Sequence, residues 1–202
     1  FRSFLKGLAK RQLTGGALLE VGCGYGYLLA EAAGFFRVRV GVEFSTQAAR
    51  QAATRADALY EGGIEQLPAD QMFDCIIATQ VIEHVYQPQA FLERLCQHLN
   101  PMGKLVLATP NMGSLWRRLM GHAWPSFKIP EHVVYFDRKA LGTLLQQVGC
   151  VEIHGLPYPH AFPLSLIART LRLPAPKALS QMCVWIPATT LAMYGTFSSS
   201  RS

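Results

Sequence analysis

Two carboxylates, three glycines and two histidines are the residues of this chain best suited to do chemistry. Glu20 is followed by Gly22, Gly24 and Gly26 in "LLEVGCGYGYLLAE", and Glu43 closes the apolar run "VRVGVEF". Glycines at alternate positions let a backbone turn tightly and come close to a bound molecule. A carboxylate at the end of such a run can accept from hydroxyls or offset a nearby positive charge. Further along, His84 in "VIEHV" and His132 in "IPEHVVYF" carry imidazoles, whose protonation near neutrality suits proton transfer. For His84 a loop-anchoring hydrogen bond is the competing reading. His132, beside Glu131, reads equally as a base or as a substrate contact. His98 falls in a helical pattern, and His122, His154 and His160 have no positional argument.

The glycine spacing narrows the ligand. A nucleotide-hydrolase loop needs Lys-Ser/Thr after its last glycine, and Tyr27 follows Gly26 here. A dinucleotide fold wants G-x-G-x-x-G, whereas this chain has G-x-G-x-G with an acid two residues upstream. S-adenosylmethionine has no pyrophosphate, but a sulfonium cation, an amino acid end and a ribose diol. The glycines would let the backbone pass close under it, Glu20 would offset charge, and Glu43 would accept both ribose hydroxyls.

These residues need elements to position them. "GALLEV" reads as a buried strand and "YLLAEAAG" as a helix stopped by Gly34; "VRVGVEF" is a second strand, leading through the N-cap Ser45 into the helix "TQAARQAATRA". A short strand near Ala58 to Glu61, the strand "FDCIIATQ", a helix opened by Pro88 and the strand "GKLVLATP" follow. "DRKALGTLLQQVG" is an Asp-capped helix before the strand-like "CVEIH". This alternation predicts an α/β fold, Rossmann-like, with a mostly parallel open sheet flanked by helices. Residues 111–136 form one long irregular insertion. There Trp116, Trp124, Phe127 and Tyr135 could wall an apolar acceptor site, and Arg117 and Arg118 could meet an anion.

Composition sets the frame. The 202 residues are half hydrophobic and can bury a full core. Five cysteines without metal-type or redox-type spacing argue for reduced thiols in a cytoplasmic setting. The net charge of +6 gathers at the two ends, around a nearly neutral middle. A basic surface without interleaved aromatics argues against a nucleic acid partner, and leaves peripheral contact with a membrane or a lipid-linked substrate open. The apolar stretch 183–197 is interrupted by Pro187 and too short to span a bilayer, so it reads as buried or surface-lying. No basic-then-apolar leader is visible, and the first residue, Phe1, suggests a cut segment.

Across about residues 1–155 the chain resembles the class I S-adenosylmethionine-dependent methyltransferases. The resemblance is carried by "LLEVGCGYG", "VGVEFS", "IEQLP", "FDCIIATQVIEHV" and "LNPMGKLVLATPN". Within that class "ATPNMGSLWRRLMG" and "WPSFKIPEHVVYFDRKALGTLLQQVG" are similar to a bacterial small-molecule subgroup related to the ubiquinone-biosynthesis O-methyltransferases. The resemblance implies a seven-stranded sheet and a methyltransferase domain over 1–155, with 156–202 as a Pro-rich, basic and apolar tail packed on it. It assigns Glu20, Gly22, Cys23, Gly24 and Gly26 to the cofactor loop, Glu43 to the ribose and Phe44 to the adenine side. Ile64 and Glu65 match the adenine-side loop, Thr79 and Gln80 lie near the methionine end, and Arg2 is expected at the cofactor carboxylate.

Two departures matter. Gly63 stands where many relatives have an aspartate for the adenine amino group, so adenine contacts are expected from backbone and Ile64. Ubiquinone-type relatives bind a divalent metal through E-x-x-E-H; this chain has Gln80, Glu83 and His84, and a neutral amide is a poor Mg²⁺ ligand, so no metal requirement is expected. No seventh strand can be picked out in 156–202, which leaves it distorted, replaced by the tail or cut away. The expected function is methylation, on oxygen, of a small molecule or of a sugar- or lipid-linked intermediate. A non-catalytic cofactor-binding scaffold and an NAD-dependent oxidoreductase are the rivals, the latter disfavoured by the glycine spacing. The oligomeric state is not legible.

Overall fold

The structure, a computed structural model, describes residues 1–158, 161–165, 183–185 and 188–198. In chain order its principal elements are α1 (Arg2–Ala9), β1 (Gly15–Val21), α2 (Tyr27–Ala32), β2 (Phe36–Glu43), α3 (Thr46–Ala52), β3 (Ala58–Glu61) and β4 (Phe73–Thr79). There follow α4 (Pro88–Gln97), β5 (Leu99–Pro110), α5 (Leu115–Met120), α6 (Arg138–Gln147), β6 (Cys150–Leu156), β7 (Ala161–Pro163), β8 (Cys183–Trp185) and β9 (Thr190–Phe197). Seven strands form one sheet in the order β3-β2-β1-β4-β5-β9-β6, and β7 pairs separately with β8.

The strands from β3 to β5 are parallel, and β9 runs antiparallel to both of its neighbours. Alternate residues of the central strands feed two cores. Leu19, Ile76, Leu105 and Leu107 pack against Leu92 and Leu95 of α4 and Leu141 and Leu145 of α6. Leu18, Cys75, Ile77 and Val106 pack against Phe4, Leu5 and Leu8 of α1 and Leu28 and Leu29 of α2. Burial on both faces explains why β4 reads as an unbroken apolar run rather than an alternating one.

The helix starts follow local chemistry. Ser45 accepts from the Ala48 amide at the start of α3, and Asp137 from the Ala140 amide at the start of α6, each satisfying a donor that the helix leaves free. The order of chain connections reverses between β1 and β4, and ligands of open α/β sheets bind at such a point, outside the carboxyl ends of the strands. In register, Val21 of β1 lies opposite Val42 of β2 and Ala78 of β4, so the three strands end side by side.

The structure supplies the seventh strand that the sequence pattern does not reveal. It is Thr190–Phe197, wedged between β5 and β6. Its residues are buried on both faces, so no alternation marks it, and Gly195 interrupts its β-propensity. That glycine is required by packing: a Cβ there would lie 2.7 Å from the Cβ of Cys150. Most of the Pro-rich stretch before it, including His160, lies outside the described residues. Among the described residues no helix is long and apolar enough to cross a membrane.

Candidate active site

Beyond β1 the chain turns under the end of β2, and the amides of Gly22 and Cys23 donate to the Val42 carbonyl at 2.9 and 3.2 Å. Gly22, Gly24 and Gly26 have φ of 67°, 53° and 74°, a left-handed region that a side chain would strain. A Cβ at Gly22 would fall 2.5 Å from Cγ2 of Val81, and one at Gly26 would fall 2.9 Å from Cα of Ala52. At Gly24 it would meet nothing within 4 Å. The outer two glycines are therefore demanded by packing, and the middle one leaves space over the loop.

Glu43 ties this loop to β2. One of its oxygens accepts from the Gly24 amide and the other from the Ser45 amide, both at 2.8 Å. A carboxylate offers about four acceptor positions, so two remain for a vicinal diol. Arg55, which no sequence motif singled out, donates to the Tyr25 carbonyl at 2.6 Å and lies 5.0 Å from the centre of the Tyr27 ring, latching the loop from outside.

Glu20 is buried, and its Oε2 has no hydrogen-bond partner. Burial holds its carboxyl well above the usual carboxylate range; the Leu29 amide opposes that shift and the charge of Glu43 adds to it. A buried acid with an unpartnered oxygen beside a glycine loop is relieved by a positive group. The Cys23 thiol is pushed up to about 12, by burial first and then by the two glutamates, and stays protonated at neutral pH.

Beyond the end of β2, where the resemblance expects the adenine, Ile64 is buried in the short turn Ile64–Gln66, and Phe44 is 76% exposed. A Cβ at Gly63 would run into the Glu65 carboxylate, so Glu65 occupies the space that a side chain at 63 would take. At the end of β4, Gln80 adopts φ 56°, donates its amide to the Ala108 carbonyl at 2.7 Å, and leaves Nε2 buried without a partner. Thr79 is hydrogen-bonded to Tyr158, whose phenol is pushed up to about 12 by burial and by the charge of Glu20. Tyr158 lies just past the point where the sequence pattern fades, which is why it drew no notice. Arg2 stands apart from these contacts, exposed, with its Nε 4.0 Å from a carboxylate oxygen of Glu31.

The insertion forms a cover over the ends of β4 and β5. The Val133 and Val134 amides donate to the Glu83 carbonyl at 2.8 and 3.2 Å, and the Met112 amide donates to that of Phe136 at 2.9 Å. Rings run through it in series: Trp124 to Phe127 (5.3 Å between centres), Phe127 to Tyr135 (5.3 Å), Tyr135 to His132 (5.9 Å) and His132 to His84 (4.7 Å). Trp116 is left out of the series, on α5, none of whose residues is buried. Arg117 lies against the Phe127 ring with its Nε buried and unpartnered, and the Tyr135 hydroxyl is likewise unpartnered.

His84 and His132 thus come together, each with Nδ1 2.8 Å from a backbone carbonyl, of Glu131 and Ser126 respectively. Burial, with His84 alongside, holds His132 below the ordinary imidazole range. Glu83 lies beneath them, fully buried, with Oε2 accepting from the Thr109 hydroxyl at 2.9 Å and Oε1 unpartnered; burial raises its pKa.

Residues 1–154 match the family model described as a methyltransferase domain. The chain belongs to the class I S-adenosylmethionine-dependent methyltransferase family. A ubiquinone biosynthesis O-methyltransferase of Nitrobacter winogradskyi is 28% identical over 160 residues, covering 69% of this chain and 61% of that protein. One from Rickettsia prowazekii is 35% identical over 101 residues, covering 46% and 40%. The chain therefore spans about two fifths to three fifths of these curated relatives. Among solved structures, the magnesium protoporphyrin IX methyltransferase of Synechocystis with bound SAH superposes with a TM-score of 0.64 at 14% identity, covering 97% of this chain and 81% of that one. The YcgJ protein of Bacillus gives 0.69 at 13% identity, covering 98% and 99%. At such identities these neighbours establish a shared fold.

The residues at the methyltransferase site fit the family's cofactor: three left-handed glycines, a tied carboxylate at the end of β2, and unpartnered polar atoms on Glu20 and Gln80.

Proposed function

We propose that the protein transfers a methyl group from S-adenosylmethionine to an oxygen of a small-molecule acceptor, a class that includes sugar- and lipid-linked intermediates. The observation that carries the reading is the Glu43 carboxylate bound to the Gly24 amide at the sheet's switch point. Bound S-adenosylmethionine supplies an electrophilic methyl on a sulfonium. Glu43 would accept from the ribose hydroxyls, and Glu20 would face the cofactor's positive charge. Ile64 and Phe44 would flank the adenine, with Glu65 accepting from its amino group in place of the aspartate missing at 63. Gln80 and Thr79 would border the methionine end.

Catalysis of this kind is chiefly alignment of acceptor, methyl and sulfur. The ring series of the cover supplies an apolar wall, and a groove of about 720 Å³ lined by Asn111, Arg138, Gly155, Tyr158 and Thr190 opens along the same edge of the sheet. Tyr158, one of its lining residues, is hydrogen-bonded to Thr79, which supports a groove beside the methionine end. The His84 and His132 pair is where an acceptor hydroxyl would lose its proton. The O-methyltransferase relatives support oxygen as the target.

Calorimetric titration with S-adenosylmethionine, S-adenosylhomocysteine and NAD tests the reading. Binding of the first two in the micromolar range, about −8 kcal/mol, with none for NAD, is expected. Binding of NAD alone would overturn it. Cofactor binding without methylation of any compound in a panel of phenols, alcohols and sugars would favour the scaffold alternative.

A further inference from the structure

We propose that Arg117 and Tyr135 form a subsite in the cover for an acid group, a carboxylate or a phosphate, that the methyl acceptor carries away from its reacting oxygen. The inference rests on the methyl-transfer reading and narrows its acceptor to acidic small molecules.

In the sequence Arg117 and Arg118 are equal candidates to meet an anion, and the structure separates them. Arg118 is exposed, whereas Arg117 is half-buried, with Cζ 5.7 Å from the centre of the Phe127 ring. Ser114, itself buried, accepts from the Arg117 amide at 3.1 Å and fixes its place in the first turn of α5. The Arg117 Nε is buried without a partner, and no carboxylate among the described residues pairs with the guanidinium. A guanidinium stays charged at any ordinary pH, so a buried edge left unpaired is unfavourable until an anion meets it.

Tyr135 supplies a second, independent observation. Its ring centre lies 5.3 Å from that of the same Phe127, and its hydroxyl is also buried and unpartnered. Two unsatisfied donors beside one aromatic ring call for a hydrogen-bond acceptor. The surrounding segment offers none that is charged: residues 111–130 hold Arg117, Arg118, His122 and Lys128 and no Asp or Glu.

The donors decide the class of ligand. The Nε–H of an arginine and the terminal N–H beside it point the same way and match two oxygens of a carboxylate or a phosphate. Tyr135 also lies 5.9 Å from His132, so one continuous wall leads from the acid subsite to the imidazole pair. An acceptor whose hydroxyl sits at that pair would turn its acid group toward Arg117. The apolar rings of Phe127 and Trp124 would strengthen that pairing by keeping water away. A neutral acceptor would leave both donors unsatisfied, which is how such a site rejects an analogue that lacks the matching group. No residue of α5 is buried, so the helix that carries Arg117 can shift to admit the ligand.

The test is calorimetric titration of the full chain, saturated with S-adenosylhomocysteine, with benzoate, phenyl phosphate, benzamide and benzylamine. At least one of the two anions should bind about tenfold or more tightly than benzamide, and benzylamine should not bind. Arg117→Gln should abolish that preference and Arg117→Lys should retain part of it, whereas Arg118→Gln should change it less than about threefold. If Arg117→Gln loosens the cover, as a fall in melting temperature would show, Tyr135→Phe carries the comparison: it should weaken the anion and leave benzamide unchanged. Benzamide bound as tightly as either anion, a preference that survives both Arg117→Gln and Tyr135→Phe, or one lost equally in Arg118→Gln would each overturn the proposal. So would binding of phosphatidylglycerol vesicles through Arg117 with neither small anion bound, which would give this surface to a membrane. The initial saturation keeps the two readings apart: S-adenosylhomocysteine bound without a preference for acids rejects the subsite alone, and acids bound through Arg117 in a chain that binds neither S-adenosylhomocysteine nor S-adenosylmethionine reject methyl transfer alone.

Discussion

The two halves of the carboxyl edge are built on different principles. Around β1 and β2 the geometry is set by hydrogen bonds to the loop's main chain: the Gly22 and Cys23 amides to the Val42 carbonyl, the Gly24 amide to the Glu43 carboxylate, and the Arg55 guanidinium to the Tyr25 carbonyl. Over β4 and β5 backbone hydrogen bonds fasten the cover, and a series of ring contacts from Trp124 through His132 to His84 fills it. On the proposed reading, a loop that grips an unchanging cofactor is held by hydrogen bonds to its backbone, which tolerate few alternatives, whereas the part of the cover that would meet the acceptor is made of side chains, which can be exchanged without disturbing the sheet.

Variants can break that contrast. The largest effect is expected from Glu43→Ala, which removes charge-assisted hydrogen bonds worth about 1.5–3 kcal/mol each and so should weaken S-adenosylmethionine at least about 100-fold by calorimetry. An unchanged affinity would remove Glu43 from the ribose. His132→Ala should do the opposite, lowering turnover by about 100-fold or more with the cofactor's affinity within about threefold, read as release of S-adenosylhomocysteine. A matching fall in affinity would place His132 on the cofactor side and dissolve the contrast.

Within the loop itself, Gly26→Ala should lower the melting temperature more than Gly24→Ala. Both incur the left-handed penalty of about 1–2 kcal/mol, but only the first collides with the Ala52 backbone. Gly24→Ala should instead show its effect in cofactor affinity. Equal melting shifts would mean that the loop relaxes around Ala52.

The smallest effect is a dependence on pH. A carboxyl raised in the folded state favours folding while protonated, and that contribution fades as pH climbs through the raised value. Glu20→Gln should therefore leave stability unchanged in acid, raise it at pH 8 in the cofactor-free protein, and weaken S-adenosylmethionine at both. Identical denaturation curves at pH 8 would show that Glu20 ionises there without cost.

What could be read in one dimension follows from this contrast. The glycine loop and Glu43 were legible because their roles depend on spacing along the chain and on strand ends that hydrophobic runs disclose. Glu65 was legible as a position, but its carboxylate lying over Gly63 was not, since that depends on a side-chain conformation. The meeting of His84 with His132 was hidden for a different reason: the two are linked by a cover whose path has no periodicity. Tyr158 and Arg55 were silent because neither belongs to a spaced pattern, and each meets its partners across a long separation along the chain.

By itself, the sequence determined the parallel α/β half, the bend that carries the glycines and the carboxylate that closes β2, because strand burial, helix caps and tight turns are local consequences of residue type. Only the tertiary structure decided where β9 inserts and which side chains share the mouth of the site. An antiparallel strand buried on both faces carries no alternation to betray its partner, and a cluster gathered from β4's end and a distant cover exists only after the chain has folded back on itself.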